Sequence, residues 1–519
     1  VLLLLIIIIS LAGCGSSGTG INEIPASSAG KDIEKAVGED NVFSLNTNSK
    51  YSFNPLIATN HSNQLVCSLV YENLVEVDNE FNVIPGIVTE WSVSDDGKSW
   101  TLTIDTTHVF HDGTSVTPND VRRSIESAIN ADRYAGRFST IAGVSYSSDS
   151  VYITLSAANK RFIKLLNIPV VKTGTYGDKY PIGSGPYMFN EEHTELVAFE
   201  GYPGYEDLPV DVIYLKEYTS AEEIISAYED SLIDVVVNDP TSLTDLGYAS
   251  SNEFRALNTT NMHYVAFNET SMLGKYSNFR VAMQYAFDRS NLVDLLQGNG
   301  TAATVPMCPS SPYYPTSYAQ TLNYNLEKCK TILSNMGVRD YNDDGKLEFM
   351  NGSPVAINID FIVCSDSSAK SGVVNRFASD MAKIGLKVTV RELVWADYLE
   401  ALENGDFDMY YAEVKLRNDF DITRLVAVRN KDNETTNINY TGSTDVFYIE
   451  YLNHYLMASE ADAAAKYLEF CKYLGDNAII IPLGFEKQQI ITHRGVIKGI
   501  NANLGNPMYD FANWKIDLS

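Results

Sequence analysis

The chain has 519 residues, 45% of them hydrophobic, and 66 Asp or Glu against 38 Lys or Arg give a formal charge of −28. That length and apolar content suit two or three domains around a large buried core, and 32 tyrosines belong to a globular chain rather than a disordered one. The acidic balance argues against nucleic acid, whose phosphates need a basic footprint, and against an anionic membrane surface as more than an anchoring point.

Val1 to Ile9 form an apolar run that is too short for a bilayer, which takes about 20 residues, but right for the core of an export signal. The run passes through Ser10-Leu11-Ala12-Gly13 into Cys14. Leu-Ala-Gly-Cys resembles the lipobox of bacterial lipoproteins, which implies loss of residues 1–13 and acylation of Cys14. No charged segment precedes the run, so the chain is read as starting within the signal. Residues 14–39, with Gly15-Ser16-Ser17-Gly18 at their head, read as a flexible linker. Cys67, Cys308, Cys329, Cys364 and Cys471 remain, an odd and widely spaced set. Buried free thiols are expected, and no zinc site.

Gln64 to Tyr71 predicts a helix. Trp91 to Trp100 predicts a hairpin turning at Asp96-Gly97. Thr117-Pro118 predicts a helix cap with Asp120 in the first turn. Val151 to Leu155 is a strand, and Pro181-Ile-Gly-Ser-Gly-Pro-Tyr187 a stiff glycine-bearing turn. From Val212 on, strands and helices alternate: strands 212–215, 233–237 and 263–268, a helix over 221–229, and a long helix from Phe279 to Leu296. The second half repeats the order, with helices 326–336, 373–384 and 395–403 between strands 355–363, 386–390 and 407–410. This pattern predicts two α/β lobes with largely parallel sheets and a ligand cleft between them.

The sequence holds no nucleophile elbow, zinc helix or phosphate loop, and nothing in it asks for an enzyme. No cofactor is expected. Asp340-Tyr-Asn342-Asp-Asp344-Gly345 opens like a calcium loop, but Asn351 stands where a bidentate Glu is needed, so an Asx-turn loop is the reading. His108 and His111 beside Asp112 read as a structural or exposed pair.

Ordered markers resemble the extracellular solute-binding proteins of family 5, the dipeptide, oligopeptide and nickel class serving ABC importers. They include Leu69-Val-Tyr-Glu-Asn-Leu74, Phe110-His-Asp-Gly-Thr114, Val116-Thr-Pro-Asn-Asp-Val121, Pro181 to Tyr187, Ala266-Phe-Asn268, Phe279 to Arg289 and Gly405-Asp-Phe-Asp408. The resemblance runs from 42 to 514 and implies a two-lobed periplasmic-binding-protein-like α/β fold (type II, cluster C). Lobe I would comprise 40–65, 181–266 and 482–519, an inserted subdomain 66–180, and lobe II 267–481, with hinge strands near 266 and 481. A monomer that binds a short peptide and delivers it to ABC permease subunits is implied. An oligosaccharide or a metal chelate are the alternatives. Family members carry an Asp-Pro in the loop after Tyr411 that meets the peptide ammonium. Here the loop reads Asn418-Asp419-Phe420-Asp421, which makes Asp419 the better match and Asp421 the fallback. Asn268 is expected near the cleft. Tyr51, Trp395 and Tyr398 are candidates to cover apolar parts of the ligand, although core packing suits Trp395 equally, and Arg417 is the candidate for a chelate.

Overall fold

Two long antiparallel strands, Glu253–Phe267 and Ile480–Thr492, form the spine of an 11-stranded mixed sheet. The computed structural model describes residues 42–239 and 247–518; the signal run, Cys14 and the linker lie outside them. Met262 to Phe267 and Ile480 to Phe485 are buried without a break, as expected of strands covered on both faces. At one end the spine joins Val235–Asn238, and through it the parallel neighbours Ser44–Thr47 and Val212–Glu217. At the other it joins Met409–Lys415, followed by the parallel strands Asn358–Cys364 and Lys387–Leu393. The β-α-β order therefore yields a parallel trio at each end, but in one continuous sheet whose remaining pairs are antiparallel.

Pairing within the spine slips between Asn258 and Met262 and again between His263 and Tyr264. This irregular stretch sits where the spine passes from one trio to the other. On the opposite strand it spans Pro482 to Lys487.

A separate four-stranded antiparallel sheet is built from Val88–Val93, Ser99–Ile104, Ser150–Leu155 and Ile141–Tyr146. Its first hairpin turns at Asp96-Gly97, with Gly97 at φ 69°. The helix Pro118–Ile129 starts with a full capping box, in which Thr117 and Asp120 satisfy each other's backbone N–H groups. Trp100, Leu102 and Ile153 of this region share one hydrophobic cluster with Leu45, Ile213, Ile490 and Trp514 of the spine's first end. The 66–180 segment thus buries a common core with the spine's first end, and the second core, around Phe361, Phe377 and Tyr467, also takes in Val77 and Phe81 of that segment.

Gly183 and Gly185 are required by close approach. A Cβ on either would lie 2.2 Å or 2.6 Å from the carbonyl oxygens of Val70 and Leu69, at the end of the helix His61–Val70. The expected helix from Phe279 to Leu296 is broken into Ser277–Gln284 and Arg289–Leu295. Asp288 caps the second piece through the Ser290 N–H, while Arg289 turns inward to donate to the Pro482 carbonyl at 2.9 Å. The expected strand 355–363 is likewise split, into Ser353–Ala356 and Asn358–Cys364.

Candidate functional site

In α/β sheets the ligand crevice opens beyond the carboxyl ends of the parallel strands. In lobe I those ends are Thr47, Glu217 and Asn238; in lobe II they are Cys364, Leu393 and Lys415. The loop after Lys415 crosses to the 66–180 segment. The Asn159 side-chain amide donates to Asp419 Oδ2 at 2.8 Å, Arg417 donates to the Gly136 carbonyl, and Asn418 donates to the Lys164 carbonyl at 3.3 Å. Phe420, at the centre of this loop, holds a left-handed φ of 56°, a costly conformation for an aromatic residue. Its ring packs on Phe81 at 4.7 Å between centroids, and its N–H donates to the Arg417 carbonyl at 2.9 Å.

Asp419 is fully buried. Its other oxygen accepts from the Asp421 N–H at 3.1 Å. Burial raises its pKa, Asp421 adds to the rise, and Arg417 opposes it. Asp421 pairs with Arg417 at 3.1 Å and accepts from the Thr423 N–H and hydroxyl. Lys164, packed over the Tyr313 ring, is pushed down to about 8 by burial. Arg161 spans the same junction, donating to the Ala458 and Ser459 carbonyls at 3.0 Å.

Beside the slip in the spine lies a polar network on three adjacent strands. His263 Nδ1 meets the Tyr411 hydroxyl at 2.9 Å and Nε2 meets Glu486 at 3.1 Å. Glu486 also accepts from Asn261 at 2.6 Å, and Lys370 bridges Glu413 and Asp366, each at 3.0 Å. His263, Glu413 and Glu486 approach one another at the spacing of a metal-ligand group, yet the Lys370 ammonium already supplies positive charge to Glu413 at 3.0 Å. In the Asp340 loop the carboxylate accepts from the N–H groups of Asn342, Asp344 and Gly345, which is an Asx-turn arrangement. His108 pairs with Glu72 and His111 meets the Gly185 carbonyl, so the two rings serve separate structural contacts.

The structure brings Asp419, Asp421 and Arg417 together in the crossing loop, and places Tyr51 and Trp395 just after carboxyl ends of strands, 46% and 61% exposed. Trp395 therefore faces outward. Tyr398 is the residue that packs inward, its hydroxyl donating to the Tyr411 carbonyl at 2.7 Å. Asn268 is misplaced by the sequence reading. Phe267 pairs with Met409 while Asn261 pairs with Lys415, so at about 3.3 Å per residue Asn268 sits roughly 20 Å from the crossing loop's end of the strand. Its amide is used structurally, donating to the Gly405 and Phe407 carbonyls. Sequence reasoning missed Asn159, because no local pattern marks an amide whose partner lies 260 residues away.

The profile of the bacterial extracellular solute-binding proteins, family 5 (middle), matches residues 82–436. The oligopeptide-binding protein AppA of Bacillus subtilis is 24% identical over 448 residues, covering 78% of each chain. Its structure in complex with a nonapeptide superposes with a TM-score of 0.62 at 19% identity, over 91% of this chain and 98% of that one. NikZ from Campylobacter jejuni in complex with Ni(L-His) gives 0.66 at 19% identity over 92% and 99%. The unliganded open form of the periplasmic murein tripeptide-binding protein MppA gives 0.74 at 18% identity over 93% and 99%. These likenesses establish the two-lobed fold.

Proposed function

Starting from the premise that this chain belongs to the bacterial extracellular solute-binding proteins of family 5, we propose that it captures short peptides in the crevice between its lobes and hands them to the permease of an ABC importer. The observation that carries the reading is the loop Leu416–Ile422. It leaves the carboxyl end of a parallel strand in lobe II and bonds to residues 136, 159 and 164. A loop joined in this way to the facing segment can open to admit a ligand and close behind it. AppA, crystallised with a nonapeptide, and MppA, described as binding a murein tripeptide, support a peptide over a sugar. Against a chelate held by Arg417 stands that guanidinium's existing engagement with Asp421 and Gly136.

On this reading the lobes divide at the slip in the spine, with 66–180 as a sheet inserted into lobe I. Acylated Cys14 tethers a monomer to the membrane, and no bond in the ligand is broken. Asp419 remains the candidate for the peptide ammonium, which would compete with Asn159 for the carboxylate. Native mass spectrometry of the protein as purified tests the ligand class, since deep crevices retain what they bind. A ladder of peptide masses supports the reading; a sugar or nickel-chelate mass overturns it. If Asp419 meets the ammonium, Asp419→Asn and N-terminal acetylation of the peptide weaken binding to the same floor. Independent, additive losses remove that role.

A further inference from the structure

We propose that the loop 340–348 of lobe II is a calcium site, built apart from the crevice and independent of what the crevice binds.

Asn351 lacks the bidentate carboxylate that closes a helix–loop–helix calcium loop at its twelfth position. This loop, however, joins two strands. Val338–Arg339 pairs with Glu348–Asn351, and Arg339 stands directly opposite Glu348. The pairing returns Glu348, ninth in the loop, to the side of Asp340, the first. Asn351 lies about 10 Å further along the strand, in the next hairpin turn, opposite Ser353. A carboxylate at the ninth position therefore closes the loop here. Gly345, the sixth residue, has φ 82°, at the position where the calcium loop takes its sharp turn.

Carboxylate oxygens of Asp340, Asp344 and Glu348 lie within 4.8 Å of one another. Glu348 by itself points to a missing cation. It is 4% exposed, and its Oε2 accepts from the Tyr341 N–H at 2.9 Å. Its Oε1 has no hydrogen-bond partner, and among the described residues its carboxylate has no ion pair. Arg339, the cation across the hairpin, lies over the Tyr341 ring at 4.7 Å instead. An anion withdrawn from water and facing two others is costly unless a positive charge joins it. Lys346, the cation within the loop, reaches Asp344 at 3.5 Å from a side chain that is 70% exposed, a contact that holds little.

The remaining donors suit a hard cation. Asn342 offers a side-chain oxygen at the third position and Lys346 its main-chain carbonyl at the seventh, so the whole set is oxygen, with no sulfur or imidazole to favour zinc or copper. The loop is also seated: the Leu347 N–H donates to the Gly385 carbonyl at 2.8 Å, and a Cβ on Gly385 would lie 2.7 Å from the Gly345 carbonyl oxygen. A bound ion would thus brace the turn from which Lys387–Leu393 starts.

Calcium chloride is titrated calorimetrically into the chelator-stripped full chain at about 0.15 M ionic strength, which screens diffuse attraction to the acidic surface. One site is expected, with a Kd of about 10⁻⁴–10⁻³ M, the range of extracellular calcium modules. Magnesium, which gives up its waters reluctantly, is expected to bind at least about tenfold more weakly. Asp344→Asn and Glu348→Gln should each weaken calcium by about tenfold or more, because each removes a charge from the ligand set. Lys346→Gln keeps the carbonyl and frees Asp344, so it should bind calcium at least as tightly as wild type. Melting temperatures confirm that each variant folds, and the Asp344 side chain, 42% exposed, can be changed without disturbing the core. Undiminished calcium binding in Asp344→Asn puts the ion elsewhere and overturns the site. Absence of saturable binding up to about 10 mM calcium overturns it too. Peptide binding is measured separately, so failure of either reading leaves the other standing.

Discussion

Asn159 and Asp419, 260 residues apart in sequence, meet through a buried 2.8 Å hydrogen bond that joins the 66–180 segment to lobe II. Asn159→Ala leaves the Asp419 carboxylate short of a donor, a loss of about 1–3 kcal/mol for a buried group. The melting temperature is expected to fall accordingly. Asn159→Asp is expected to be worse at neutral pH, because two carboxylates would then share a buried site. Its deficit should shrink on acidification, since the folded protein retains a proton between them that the unfolded chain gives up. An Asn159→Ala protein with unaltered melting temperature and ligand affinity would show that the contact carries no energy.

Closure is expected to turn on the spine between Asn258 and Tyr264, opposite Pro482 to Lys487, where the register is twice irregular. Gly484 lies within this stretch. A Cβ there would come within 2.7 Å of the Thr301 carbonyl oxygen, so Gly484→Ala must displace the paired strand Gly300–Ala302. Small-angle scattering should show a smaller radius of gyration when a peptide saturates the wild-type protein, and a reduced change in Gly484→Ala. Equal radii for wild type with and without bound peptide count against closure.

Elements with a local signal were legible in the sequence. The Thr117-Pro118 cap, the Asp96-Gly97 turn and the helices over 221–229 and 395–403 each rest on neighbours in the chain, and each forms. Interruptions caused by distant partners were not legible. The break at Asp288 depends on Arg289 finding the Pro482 carbonyl, which no window around residue 289 contains. The site divided in the same way. Asp419 could be put forward as a candidate because its loop follows a recognisable strand, whereas Asn268 was put at the other end of the sheet because the direction of its strand relative to Met409–Lys415 is a property of the assembled sheet. Trp395 and Tyr398 were treated alike from their spacing, yet only Tyr398 lies on the face turned to the core.

The five cysteines of the described residues are all free and buried. Burial raises every thiol, Cys67 and Cys329 to about 12, which suppresses the reactive thiolate. The native protein is therefore expected to resist maleimide at these positions and to keep its melting temperature in dithiothreitol. Prompt labelling of Cys67 or Cys471 in the folded protein contradicts this packing, and labelling after unfolding in guanidinium provides the control.

Glu76 gives the fold a pH dependence with a defined sign. Burial lifts its pKa from 4.5 to about 7, although hydrogen bonds from Asn73 and Asn506 pull the other way. Between those values the folded protein holds a proton that the unfolded chain has released, so stability is fully present below pH 4.5 and is lost as pH rises through about 7. Glu76→Gln removes this titration while keeping a side chain that fits among the two asparagines. His108, raised chiefly by its hydrogen bond to Glu72, shifts stability in the same direction but does so in both proteins and cancels in the comparison. The variant's melting temperature relative to wild type is therefore expected to increase as pH rises from 5 and to level off above about 7, where Glu76 is ionised in both states. A difference that stays constant across that range would mean that Glu76 is ionised in the folded protein throughout, with the two amides compensating its burial.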